Sequence, residues 1–326
     1  MPTLTEPELG PALAAFLSGL EISAAENKVA FSGRTISAAG IGDLRRELAG
    51  AWYEELHAGI SQDRSMLRSP RRDREFEELL TRRIPHETSP AGAVLRPGPA
   101  GGPADGHALA EIGRTRVLIP DRMLPPHHEP GDQVTLALPA VRPALSPGFL
   151  LVNGSAGGPV GRGDVLRLYV HISDATSAPD IWAAAISVLE REGARYRAKV
   201  VSRAAAFPRR DSLVVYLTEE SWQAAEAVAA AVAAVPGIAP QTSPLTVRVA
   251  DGIGMAWEPR DRRAGWDRMS FGQHRTAALA DGVIRYLTGD LSLEQATADA
   301  LADASIDPAE PARNVGSPGF PMRAAR

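Results

Sequence analysis

Apolar residues recur at helical spacing early in the chain, first at Leu9, Leu13, Phe16 and Leu20, then at Leu44, Leu48, Trp52 and Leu56. Steps of three and four put each set on one helix face, so residues 6 to about 85 are expected to be mainly helical. A short hairpin is expected within them at 29–31 and 35–37. From 64 to 83 charges take over, with Arg71, Arg72, Arg74, Arg82 and Arg83 set against Asp73, Glu75, Glu77 and Glu78. Mixed signs fit a solvated helix or, alternatively, a peptide-binding surface. Further on the period changes. Short alternating runs predict strands at 115–119, 133–137, 148–152, 166–173, 195–202, 212–217 and 245–249. Amphipathic stretches predict helices at 179–192, 219–235, 271–288 and 291–304. Ser270 with Gln273 three residues later is a capping box that fixes the start of the third of these helices.

This pattern divides the chain into a mainly helical region (1–89), a linker rich in Pro, Gly and Ala (90–106), a mixed region of strands and helices (107–304) and a loose tail (305–326). Strands and helices do not alternate strictly, so the expected fold class is α+β. Alternation also splits the strands into faces. In 166–173 the stripe Leu166, Leu168, Val170, Ile172 lies opposite Arg167, Tyr169, His171, Ser173. In 195–202 Arg195, Arg197 and Lys199 lie opposite Tyr196, Ala198 and Val200. If the two strands are neighbours, the polar stripes line one chemically equipped surface. A solvent-exposed sheet face reads the same way.

Composition narrows the partners. A net charge of -4 with pI about 6.0 gives no global basic field, so no nucleic acid is expected as a partner. The chain has no cysteine, which removes disulfides, thiol nucleophiles and cysteine-metal sites together. No run approaches the length of a membrane span, and Met1-Pro2-Thr3-Leu4-Thr5-Glu6 lacks the basic and apolar parts of a signal peptide. The expectation is a cytoplasmic protein without a membrane partner.

Lysine is nearly absent: among 35 basic residues only Lys28 and Lys199 are lysines. A bias toward arginine converts positions where any cation serves, so a surviving lysine marks either a place where proton loss matters or one the bias left by chance. Lys28 lies in a polar turn, Lys199 in an alternating strand. Phe207-Pro208-Arg209-Arg210-Asp211 leads into the next strand, where an Arg–Asp pair commonly orients the loop. His274 and Arg275 occupy the first turn of a helix, a place the macrodipole reserves for anions. A bound phosphate reconciles them with that place, and so does a surface arginine at modest cost. His127-His128-Glu129 faces both sides of a strand and has no third ligand, so no metal is expected. The glycine-rich stretch 154–163 lacks the Lys-Ser/Thr of a P-loop and reads as a hairpin or flap; Arg162-Gly163-Asp164 within it carries no meaning for a cytoplasmic chain.

Tyr169-Val-His171-Ile-Ser173, Arg197-Ala-Lys199-Val200, Phe207-Pro-Arg209-Arg-Asp211 through Tyr216, and Ser270-Phe-Gly-Gln-His-Arg275 resemble the blocks of the Hop-A type III effector-like family over about residues 110–290. Members encoded beside ribosomal peptide genes, in class V lanthipeptide and thioamitide pathways, serve as the lyase that eliminates phosphate from phosphoserine or phosphothreonine. More distantly, the order His171-Ile-Ser173, Lys199, Arg209 or Arg210, Arg275 is similar to that of effector-type phosphothreonine lyases. Tyr169 stands where their first lysine would be, and Arg167 on the same face is then the candidate for its phosphate-binding task.

The resemblance implies a β-elimination without cofactor. Lys199, neutralised by Arg195, Arg197 and partial burial, takes the Cα proton; His171 protonates the leaving phosphate; Tyr169 orients the lysine or the peptide. Arg167, Arg197, Arg209, Arg210 and Arg275 are the expected phosphate-binding set. The implied partners are a phosphorylated precursor peptide and a separate kinase-like phosphotransferase, with the helical N-terminus recognising the leader peptide or the kinase. The rival is a noncatalytic effector-like module or phosphopeptide-binding scaffold.

Overall fold

Alternation in the second half of the chain builds one sheet whose two faces are used differently. A computed structural model describes residues 8–60, 72–98, 106–113, 115–159 and 163–324. In chain order, helix α1 (Pro11–Ser18) precedes a three-stranded sheet of β1 (Glu21–Ser23), β2 (Lys28–Phe31) and β3 (Arg34–Ser37). Helix α2 (Ile41–Trp52) then runs into a π-helical turn, Tyr53–Ala58. Helix α3 (Arg74–Thr81) is followed by β4 (Thr88–Arg96), β5 (His107–Ile112), β6 (Thr115–Pro120) and β7 (Gln133–Pro139), a four-stranded antiparallel sheet with its own small core around Leu95, Ile119 and Leu136.

The remaining strands are β8 (Val141–Ser146), β9 (Phe149–Asn153), β10 (Leu166–Ile172), β11 (Tyr196–Val201), β12 (Arg209–Leu217), β13 (Val247–Ala250) and β14 (Ile253–Trp257). They form a seven-stranded sheet in the order β13-β14-β10-β12-β11-β9-β8, antiparallel at every pairing. Helices α4 (Ala178–Arg191) and α5 (Ala224–Ala233) pack on one face, whose core takes Leu166, Leu168, Val170, Ala198, Val200, Leu213 and Val215. Helix α6 (Phe271–Thr288), partnered by α7 (Leu293–Asp303), and helix α2 cover part of the other face.

The expected α+β class is what the elements make, and the hairpin at β2–β3 and the Ser270–Gln273 capping box are present. Three segments differ from their sequence reading. The helical N-terminal region does not stand apart: Leu13, Leu44, Leu48 and Trp52 share one core with Tyr169, Val214 and Ala256 of the large sheet. Residues 90–96, expected as linker, are strand, paired with β5 and β7; residues 99–105 of that stretch lie outside the described residues. The expected loose tail packs. Ile306, Ala312, Asn314 and Ser317 are buried, and Phe320 stacks on Trp257 with ring centroids 5.5 Å apart. Of the mixed-charge stretch, 61–71 lies outside the described residues, and α3 buries Phe76, Glu77 and Leu80 while its other positions face solvent. Among the described residues no helix is long and apolar enough to cross a membrane.

Candidate functional site

Register places the polar stripes side by side. Tyr169 on β10, Val214 on β12 and Lys199 on β11 stand opposite one another in adjacent strands, and Leu151 on β9 and Arg142 on β8 continue the row. The neighbouring row runs Arg167, Tyr216, Arg197, Asn153. His171 lies one step further along β10, where a bulge opposite β12 shifts the register. Strand spacing and rise put the Cα atoms of Lys199 and His171 about 12 Å apart, a gap two side chains and a phosphorylated residue can fill.

Lys199 Nζ sits over the Phe149 ring, 4.3 Å from its centroid, and the Arg209 guanidinium approaches the same ring at 5.3 Å. Among the described residues the lysine makes no hydrogen bond or ion pair. Its Nζ therefore leans toward Arg209 and away from Arg197. Arg195, expected to help neutralise it, is instead paired with Glu220 at 3.1 Å.

Arg209 grips Asp211 through both Nε (2.8 Å) and Nη2 (2.9 Å), and donates to the Tyr53 hydroxyl at 3.2 Å. Tyr53 in turn donates to Asp211 at 3.1 Å. Burial alone raises the Asp211 pKa, but Arg209, with His57 and Lys199 nearby, holds the carboxyl well below the usual carboxylate range. Burial works against the Arg209 charge as well, and Asp211 and Tyr53 more than restore it. Burial beside Asp211 pushes the Tyr53 phenol up. The Arg–Asp pair at the strand entrance is thus a real one, and it locks the π-helical turn to β12.

His171, only 8 % exposed, has Nδ1 at 2.8 Å from the Gln241 carbonyl. That contact assigns the proton to Nδ1 and, among the described residues, leaves Nε2 as the free position. Burial lowers its pKa, with Arg210 adding to the effect. Arg210 Nη1 donates to the carbonyls of Glu55 (3.0 Å) and Leu56 (3.3 Å), closing the end of the π-helical turn, while among the described residues its other nitrogens make no hydrogen bond. Gly59, at φ +66, allows this: a Cβ there would lie 2.9 Å from Arg210 Nε.

Tyr169 is buried rather than exposed to a ligand. His57 stands edge-on to it at 5.2 Å and Phe271 lies at 5.7 Å. Arg167 donates to its hydroxyl at 3.3 Å, and burial pushes that phenol up. Arg167 itself binds Glu258 and covers the Tyr216 ring at 4.8 Å. His57, whose Nδ1 lies 3.3 Å from Ser243 Oγ, is driven by burial down to about 4. It fits against α6 only because position 272 is glycine; a Cβ would lie 2.2 Å from its ring.

Arg275 does not face this surface with a free fork. It is fully buried and donates to the Pro311 carbonyl (2.8 Å), the Arg313 carbonyl (3.2 Å) and Asn314 Oδ1 (2.9 Å), with His274 Nδ1 at 2.9 Å. His274 Nε2 reaches Asp261 at 3.1 Å, and burial beside Arg275 takes this imidazole down to about 4. His274 and Arg275 in that first helical turn are satisfied by Asp261 and the chain's own C-terminal segment, so neither a phosphate nor an exposed position is needed to explain them.

The structure therefore brings Lys199, Arg209, Arg210 and His171 to one end of the face and Arg197 to the other, with Tyr169, Arg167 and Arg275 packed behind. Tyr53, His57, Phe149, Gln241 and Ser243 were not singled out from sequence. They arrive from three separate segments, and the one local sign of them was Tyr53 and His57 at helical spacing beside Trp52 and Leu56. The loop after β9 closes as a small Gly154–Gly157 bridge; residues 160–162 of the glycine-rich stretch lie outside the described residues.

Residues 140–313 match the family model of the HopA1 effector protein family, a span that starts just before β8 and takes in the whole seven-stranded sheet. Among solved structures, the effector protein from Pseudomonas syringae pv. tomato strain DC3000 superposes with a TM-score of 0.47 at 15% identity, covering 86% of this chain and 91% of that one. The effector protein from Pseudomonas syringae pv. syringae strain 61 gives a TM-score of 0.45 at 13% identity, covering 83% and 97%. No curated protein matches this chain.

Proposed function

The chain belongs to the HopA1 effector protein family, and on that premise we propose that it is a lyase removing phosphate from phosphoserine or phosphothreonine in a ribosomally made precursor peptide. One observation carries the proposal. Lys199, half-buried over Phe149 and without a hydrogen bond or ion pair among the described residues, faces the end of the sheet where His171 keeps Nε2 free beside Arg210. An unpaired lysine opposite an oriented imidazole is the acid–base pair that β-elimination needs.

In this reading the Lys199 lone pair takes the Cα proton and the electrons of that C–H bond become the Cα=Cβ double bond. The Cβ–O bond breaks with its electron pair leaving on phosphate, and His171 Nε2–H protonates that oxygen. The products are dehydroalanine or dehydrobutyrine and inorganic phosphate. The lowered pKa of His171 leaves it neutral at pH 7 in the free protein. An arriving phosphate monoester, with a charge of about −1.5 to −2, raises that pKa and recruits the proton, so the acid is armed by the substrate it serves. The uncommitted nitrogens of Arg210 and the outer side of Arg209 receive the phosphate oxygens. A separate kinase-like phosphotransferase supplies the phosphoryl group, and the N-terminal helices contact the leader peptide or that enzyme.

The test is incubation of a phosphothreonine peptide with the protein, followed by mass spectrometry for loss of phosphoric acid. Lys199→Arg keeps the charge but not the base, and is expected to lower the elimination rate by about 10²- to 10⁴-fold with the fold unchanged. Full activity in that variant removes the base assignment. A second reading, a noncatalytic phosphopeptide holder, is favoured by Tyr169, which is buried under His57 and Phe271 where the related lyases have a lysine. It requires that the peptide be recovered bound and at intact mass.

A further inference from the structure

The far end of the polar face holds a feature that the elimination chemistry does not use. Arg197 donates from Nε to Asn153 Oδ1 at 3.1 Å, which fixes the plane of the guanidinium, and among the described residues its two terminal nitrogens make no hydrogen bond. Arg142, two strands away on β8, shares this face because its row partner is Leu151, beside Lys199. Both side chains are half-buried. Among the described residues neither guanidinium has a carboxylate partner, and Arg142 makes no hydrogen bond. Burial and then the charge of Arg197 hold the Arg142 pKa below its ordinary value.

The other arginines of this face have acceptors of their own. Arg167 has Glu258, Arg209 has Asp211, Arg210 has the carbonyls of 55 and 56, and Arg275 has the C-terminal segment. Two partly desolvated guanidiniums without a counter-charge repel each other, and an oxyanion bridging them relieves that cost with charge-assisted hydrogen bonds. The pair is too far from His171 to share one phosphate with it. Arg197 is four residues back along the strand direction and two strands across, about 16 Å between Cα atoms.

We propose that Arg142, Arg197 and Asn153 form a second anion subsite that reads an acidic group of the substrate peptide, a carboxylate or a second phosphate, displaced from the residue reacting at Lys199. Arg197 and Lys199 are successive residues of one strand face, so an extended peptide along that face presents the acidic group about two to three residues from the reacting one. The position of the reacting residue rests on the lyase reading; the anion subsite does not.

The experiment measures binding and turnover separately. Fluorescein-labelled phosphothreonine peptides carry glutamate, phosphoserine or alanine at the second and third positions on either side. Dissociation constants come from anisotropy, elimination from mass spectrometry. Wild-type protein is expected to bind a glutamate or phosphoserine peptide about tenfold more tightly than its alanine counterpart. Arg142→Gln and Arg197→Gln are expected to lose that preference while keeping the thermal midpoint. Arg142→Glu is expected to favour a lysine-flanked peptide instead, a gain that misfolding cannot produce. A preference for phosphoserine but not glutamate identifies phosphate as the recognised group. No preference in wild type, or an equal preference in all three variants, overturns the subsite. Charge-dependent binding without elimination leaves the subsite standing and removes the lyase reading; elimination indifferent to flanking charge does the reverse.

Discussion

The two faces of the seven-stranded sheet come from the same strands and are held by opposite means. Toward α4 and α5, Leu168, Val170, Ala198, Val200 and Val215 fill a hydrocarbon core whose specification needs nothing but alternation. On the reverse side Arg167 and Arg210 are kept in place by acceptors from other parts of the chain, Glu258 and the carbonyls of the π-helical turn, and Arg209 by Asp211 of its own strand together with the distant Tyr53. Arg275 packs behind them, held by the C-terminal segment. An apolar face is made by its own strand. A charged face exists only once distant segments have docked, because each buried cation is costly until its acceptor arrives.

That contrast is best tested by removing one group from each side. Asp211→Ala leaves the Arg209 guanidinium and the Tyr53 hydroxyl without their buried acceptor, and is expected to cost about 3–5 kcal/mol in denaturant unfolding. Leu168→Ala, directly on the other face, is expected to cost about 2–5 kcal/mol by cavity formation while leaving phosphopeptide binding intact. A Leu168→Ala variant that loses binding as fully as Asp211→Ala would mean the faces are not independent.

Acid provides a smaller and reversible probe. His57 has an ordinary pKa of 6.5 and a folded value of about 4, so the unfolded chain binds the proton first. Stability is full above pH 6.5 and falls as pH drops toward 4, by up to about 3 kcal/mol. The buried carboxylates act in another window: Asp211 is depressed below its ordinary 3.8, so its contribution is lost only under more acid conditions. His57→Gln is expected to flatten the melting-temperature profile between pH 6.5 and 4; an unchanged slope assigns that window to other groups, of which His274 is the first candidate. The smallest effect belongs to the other lysine. Lys28 is exposed and paired with Glu26 at 3.1 Å, so Lys28→Arg is expected to change stability by less than about 0.5 kcal/mol and elimination not at all.

The same contrast explains what could be read in advance. β10, β11 and β12 were legible because one stripe is apolar and the other is not, and α6 because Ser270 and Gln273 mark its start. β14 was not, since Ile253–Trp257 is buried at every position and alternation vanishes in a strand covered on both sides. β4, with Pro90 and Gly92 inside it, has the composition of a loop and is a strand because β5 and β7 flank it. At the site, Lys199 and His171 stood out through lysine scarcity and stripe membership. Arg142 did not, lying in a run with Pro143 that hides its strand. Glu258 carries no local mark, and Tyr53 and His57 carry only their helical spacing, since what defines all three is a partner more than ninety residues away.

The anchorage of Arg275 also sets a schedule. Its acceptors lie at Pro311, Arg313 and Asn314, while the chain it stabilises reaches back through Tyr169 to His57. A ribosome that has produced the strands and α6 but not yet residues 311–314 has made a guanidinium with no place to go. The charged face therefore closes last during synthesis, when its earliest and latest segments finally meet. Before then the nascent chain has no assembled charged face.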